Sequence, residues 1–90
     1  MTAVWKYPIR LREGGIARFH MPALAYVMHV ATQSEDVCLW AIVNPDEDRE
    51  WRTFEVVGTG QPFDSDLLSL YIGTAQMDGY VWHVFERERS

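Results

Sequence analysis

Ninety residues, 48% hydrophobic and 13% aromatic, suffice for one small core and exclude a multidomain assembly, so a single domain over residues 1–90 is expected. A net charge of −5 argues against non-specific nucleic-acid binding, which draws on many phosphate contacts. No apolar run approaches the ~20 residues of a spanning helix, and the charged and apolar segments of a signal peptide are missing.

The opening stretch Trp5-Lys6-Tyr7-Pro8-Ile9-Arg10-Leu11-Arg12 alternates large apolar residues with Lys6, Pro8, Arg10 and Arg12. In an extended strand this sets Trp5, Tyr7, Ile9 and Leu11 on one face and three cations on the other. A first strand over about Val4–Leu11 then meets Arg12-Glu13-Gly14-Gly15, whose glycine pair predicts a tight hairpin. The returning strand, Ile16–Met21, turns Ala17, Phe19 and Met21 to one side and Arg18 and His20 to the other, and ends at Pro22. A third strand covers about Ala25–Thr32, and Ser34-Glu35-Asp36 turns it into a fourth at Val37–Val43. The near-continuous apolar run from Cys38 to Val43 predicts a central strand covered on both faces.

Asn44-Pro45-Asp46-Glu47-Asp48-Arg49-Glu50 breaks the pattern with turn formers and charge, and a fifth strand follows at Trp51–Val57. Gly58-Thr59-Gly60-Gln61-Pro62 closes it. Two readings of Phe63–Ser69 stay open: one helical turn capped by Asp64 or Ser65, or a plain loop. The last two strands, Leu70–Met77 and Tyr80–Glu86, are joined by Asp78-Gly79, a strong hairpin signal. The fragments Val57-Gly58-Thr59 and Ile72-Gly73-Thr74 suggest comparable bends in two strands. The expected fold is all-β, with seven short, mainly antiparallel strands in a small sandwich or a partly closed barrel.

Charge is uneven along the chain. Residues 1–30 hold Lys6, Arg10, Arg12 and Arg18 against Glu13 alone, while the remaining residues hold four cations against twelve acids. Pairing of the first two strands would gather Lys6, Arg10, Arg12, Arg18 and His20 into one stripe, which either grips a compact anion or merely protects a sheet edge, where Pro8 also fits. The acids Asp46, Glu47, Asp48, Glu50, Asp64 and Asp66, with the aromatics Trp51, Tyr80 and Trp82, offer a second candidate surface for a basic protein partner.

No catalytic signature emerges. Asp46, Asp48 and Glu50 resemble the start of a calcium loop but lack its glycine and its distant glutamate. The three histidines have no metal-ligand spacing, so neither a metal nor a cofactor is expected. His29 and His83 lie in apolar strands, and an acid-base site joining them to Glu86 or Glu55 would need adjacent strands facing the same way. The lone Cys38 sits among Val37, Leu39 and Trp40 and reads as a buried structural thiol in an intracellular protein.

Trp5-Lys6-Tyr7-Pro8, Met21-Pro22, Met28-His29-Val30, the stretch from Cys38 to Asp46, Arg52-Thr53-Phe54, Gly58-Thr59-Gly60, Tyr71-Ile72-Gly73-Thr74 and Val81-Trp82-His83-Val84-Phe85-Glu86 together resemble a family of small proteins of unknown function found mostly in bacteriophage and prophage genomes. The chain departs from that family at Gln61, where members commonly carry a histidine, and in its short Asp78-Gly79 turn. The resemblance implies a phage accessory product in the cytoplasm of a bacterial host. Such products are often inhibitors of host defence. The expected function is therefore a non-enzymatic binder of a defence component, either a protein such as a CRISPR effector or nuclease, or a small anionic nucleotide held by a homo-oligomer. A virion or assembly protein is the alternative, and a small hydrolase-like enzyme using His29 and His83 comes third.

Overall fold

The alternation is realised as seven strands: β1 (Ala3–Ile9), β2 (Ile16–Pro22), β3 (Tyr26–Gln33), β4 (Asp36–Val43), β5 (Arg49–Gly58), β6 (Leu70–Met77) and β7 (Tyr80–Glu86). The structure is a computed structural model and describes residues 1–11, 15–63 and 70–87. All strand pairs are antiparallel and form two sheets, a three-stranded one in the order β1-β4-β3 and a four-stranded one in the order β2-β5-β7-β6. The barrel alternative is thereby replaced by a sandwich. The sequence-based expectations for Phe63–Ser69 fall mostly on residues outside those described.

The largest departure from expectation concerns β1 and β2, which do not pair as a hairpin. β1 pairs with β4 and β2 with β5, in different layers. The physical reason is burial: Tyr7 and Phe19, each on the apolar face of its strand, meet across the layers with ring centroids 5.2 Å apart. Side-by-side pairing would have left the two apolar faces pointing the same way, still needing cover.

β4 is central, as its apolar run predicts. Val37, Leu39, Ala41 and Val43 point into the core with Ile9, Met21, Val30, Phe54, Val56, Ala75 and Val84. Its other face is covered only in part, because Cys38 is buried while Ile42 is exposed. At Cys38 the cover is polar. Lys6 on β1 donates a hydrogen bond to Gln33 Oε1 on β3, so the contact spans the strand between them. The short hairpins form as read, with positive φ at Ser34, at Asp78 and at Gly79.

The two layers are closed tightly along one side. A β-carbon on Gly73 of β6 would lie 2.9 Å from the Val30 side chain of β3, and the Thr32 hydroxyl donates to the Gln76 carbonyl across the same seam. Gly73 also follows the register shift in the β6–β7 ladder, so its missing side chain serves both the bulge and the close approach.

Among the described residues, two charged side chains are inside the sandwich. Arg52 and Glu86 share the inward parity of Phe54 and Val84, and are 7% and 8% exposed. Arg52 Nε and Nη2 donate to the two Glu86 oxygens at 2.6 and 2.7 Å, while Nη1 donates to the Ala25 carbonyl ahead of β3. These bonds to Glu86 hold the guanidinium pKa above its ordinary range against the opposing effect of burial.

Glu86→Ala is expected to lower unfolding free energy in urea by about 3–5 kcal/mol, because it strands a buried guanidinium, and Arg52→Met/Glu86→Leu should recover most of that loss. A single-variant loss no larger than that of a surface substitution would show that the pair is not a constraint. Gly73→Ala should cost roughly 1–3 kcal/mol by forcing the seam apart, and Val30→Ala in the same background should regain part of it.

Candidate functional site

The five proposed anion-binding residues are not gathered into one stripe. Separation of β1 from β2 places Lys6 on the outer face of the three-stranded sheet and Arg18 with His20 on the outer face of the four-stranded sheet. Arg10 is exposed just beyond β1, and Arg12 lies outside the described residues. The acidic surface is likewise redistributed. Asp46, Glu47 and Asp48 are exposed in the β4–β5 connection, whereas Glu50 is a half-buried strand residue opposite Met21. β5 starts before Trp51 because Arg49 Nη1 donates to the Pro45 and Glu47 carbonyls at 3.1 Å each, folding the loop back on the strand. Asp64 and Asp66 lie outside the described residues.

What the fold does assemble is an aromatic surface on the outside of β2-β5-β7-β6. Trp51 is 55% exposed. The His20 ring, directly across the ladder, stacks on it at 4.6 Å and 17°, and the Arg18 guanidinium lies over the same indole at 5.3 Å. β2 therefore sets a cation and an imidazole against one tryptophan of β5, which restricts its rotamers before any partner arrives.

Further along the same face, Phe85 is stacked with Phe63 at 5.1 Å and met edge-on by Tyr71 at 5.7 Å. Beside them runs a chain of hydroxyls and one imidazole. Tyr71 OH is 2.6 Å from Thr74 Oγ1, which is 3.1 Å from His83 Nδ1, and His83 Nε2 is 2.7 Å from Thr59 Oγ1. Both ring nitrogens of His83 are thus engaged by hydroxyls. Gln61 stiffens the neighbouring turn, since its Oε1 accepts the Gly58 N–H at 2.8 Å. Between the polar chain and the aromatics and Trp51 lies the Arg87–Glu55 ion pair, at 3.4 Å.

His29 and His83 do not share a site. His29 is on β3 of the other sheet, tilted against Trp40 at 5.8 Å, and Glu86 is turned inward to Arg52, on the opposite side of β7 from His83. A depression of about 860 Å³ at the end of the sandwich mixes Arg10 with Glu35, Asp36 and Asp78. One guanidinium faces three carboxylates there, so the lining is acidic on balance and does not make an anion site.

The Thr74–His83 contact was within reach of the sequence, since a two-residue Asp78-Gly79 loop sets Thr74 opposite His83. Tyr71 meets Phe85 only after the bulge. Arg52 and Glu86 also carried a signal: both stand at core parity within apolar strands. Thr59 carried none, being brought in by the turn after β5.

A family model matches residues 1–90, and that family is described as a domain of unknown function (DUF7352). The chain belongs to this family. No curated protein and no solved structure matches it. Among the described residues no helix is long and apolar enough to cross a membrane.

Burial raises the pKa of Cys38 above its ordinary thiol value, with Lys6 opposing, and burial likewise raises the phenol of Tyr7. A raised native pKa means that the folded state keeps its proton longer than the unfolded chain. The associated stability is complete below the unfolded values of 9.0 and 10.0 and is lost as pH climbs through the higher native ones. Urea unfolding midpoints should therefore fall above about pH 9, and less steeply in Cys38→Ala. In the native protein at pH 8, Cys38 should react with a thiol reagent only at the rate of unfolding, and rapid labelling would contradict its burial.

Proposed function

We propose that this protein is a non-enzymatic protein-binding module that blocks a component of bacterial host defence, recognising it with the outer face of the four-stranded sheet around Trp51. The observation that carries this reading is the half-exposed indole already in ring contact with both Arg18 and His20. Tryptophan and arginine are the residue types that dominate protein interfaces, and an anchor whose rotamer is set in advance loses little entropy on binding.

The kind of target follows from the resemblance to phage-encoded accessory proteins. A protein target, such as a nuclease or CRISPR effector, is favoured over a nucleotide signal by charge placement. A nucleotide sponge would draw on the cations jointly, whereas Lys6 and Arg18 occupy opposite outer faces of the sandwich. The exposed acids Asp46, Glu47 and Asp48 flank the start of β5 and would complement a basic region on the target, making association salt-dependent.

Immobilised protein challenged with lysate of defence-carrying bacteria should retain a stoichiometric defence protein. Trp51→Ala should weaken that complex by at least about 2 kcal/mol, roughly thirtyfold in Kd, while lowering unfolding free energy by no more than about 1–2 kcal/mol for the lost His20 and Arg18 contacts, so that the variant stays folded. Equal retention by both proteins, or turnover of a defence signal by the purified chain, would overturn the reading.

A further inference from the structure

Each sheet of a sandwich ends in two edge strands, and three of the four here are obstructed. β1 carries Pro8, which has no N–H to offer. β3 is interrupted by a register shift between Val27 and His29. β6 has a shift between Tyr71 and Gly73, stands against Val30, and has its Gln76 carbonyl taken by Thr32. Such devices keep sheet edges from pairing with other chains.

β2 has none of them over its length up to Pro22. Its register with β5 is unbroken from Ile16 to Pro22. The ladder phase says which main-chain groups are free. Gly15, opposite Val56, accepts the Val56 N–H at 2.7 Å, so the rungs at Ala17, Phe19 and Met21 bond to β5, and the N–H and C=O groups of Ile16, Arg18 and His20 point away from it. No strand among the described residues pairs with that side. An open groove of about 300 Å³ runs along it, lined by Pro8, Arg10, Ile16, Ala17, Arg18 and Phe19.

We propose that the β2 edge is a strand-addition site for an extended peptide segment of the target in which carboxylates alternate with apolar residues. This deepens the proposed function and rests on it. A strand laid along Ile16, Arg18 and His20 sends alternate side chains to the two sides of the sheet. On the outer side they meet Arg18 and His20, and on the inner side they meet Ala17 and Phe19 at the mouth between the layers. Arg10 and Arg18 have no ion-pair partner among the described residues, which makes carboxylates the fitting charge. A second copy fits less well, because the register that pairs β2 with itself over the whole of Ile16–His20 centres on Arg18 and sets two arginines face to face. The site adjoins the Trp51 anchor, since His20 pairs with Trp51 across the ladder.

The probe is a capped peptide of about eight residues alternating valine and aspartate, titrated into the isotopically labelled full chain. The expected result is slowed exchange of the Ile16, Arg18 and His20 amides, with shifted resonances along β2 and no added slowing at Ala17 and Phe19, whose N–H groups already bond to β5. Arg18→Gln should weaken binding roughly tenfold. Arg18→Pro should abolish it, since it also removes an N–H that the β2–β5 ladder does not use. The same peptide N-methylated at alternate residues, in the phase that faces β2, should not bind, which tests main-chain pairing without altering the protein. Equal binding of the methylated peptide, or unchanged β2 amides at millimolar probe, would overturn the proposal. Loss of target capture in Trp51→Ala with full capture by Arg18→Pro would overturn strand addition alone, whereas full capture by both would overturn the binding face itself.

Discussion

The bidentate pair between Arg52 and Glu86 is the constraint on which the arrangement of this sandwich turns. Two charges removed from water are tolerable only when each is fully engaged by the other and by further hydrogen bonds, and here the arginine also reaches a main-chain carbonyl at Ala25. Glu86 is on β7, Arg52 on β5, and Ala25 stands at the entrance to β3 in the opposite layer. One guanidinium therefore ties neighbouring strands together and ties one sheet to the other. Apolar contacts alone tolerate small slides of one layer over another, but a fork of donors with fixed angles does not.

The seam at Gly73 acts with that pair. Closure at β3 and β6 brings two backbones within reach of one side-chain hydroxyl, while the opposite side, between β1 and β2, stays open enough for a groove. The asymmetry has a simple origin. Glycine permits close approach on one side, whereas Tyr7 and Phe19 keep the layers apart on the other. The open side holds the unobstructed edge of β2, so the packing that stabilises the fold also decides where another chain has room to lie.

The outer faces are more than solvent-facing backs of the core. Cys38 and Val57 are buried on them, outside the main apolar cluster. Trp51, Phe63 and Tyr71 stay substantially exposed on the four-stranded sheet, and each is in a ring contact that orders it. Ordered exposed aromatics lose less entropy on binding than mobile ones, which is the physical ground for assigning recognition to this face.

Strand identity was legible in the sequence because a period of two is a local property. Trp5, Tyr7 and Ile9, or Ala17, Phe19 and Met21, state their faces without reference to any partner. Local turn chemistry likewise determined the hairpins at Ser34-Glu35 and Asp78-Gly79. Partner choice is not local. Gly14-Gly15 is compatible with a hairpin, and only the energetics of covering two apolar faces at once decided that β1 and β2 face each other across the core. That decision separated Lys6 from Arg18, buried Glu86 against Arg52 and stacked His20 on Trp51. Each outcome relates residues far apart in the chain and is set by which strands lie side by side and which lie face to face, and that choice depends on the whole core rather than on any one segment.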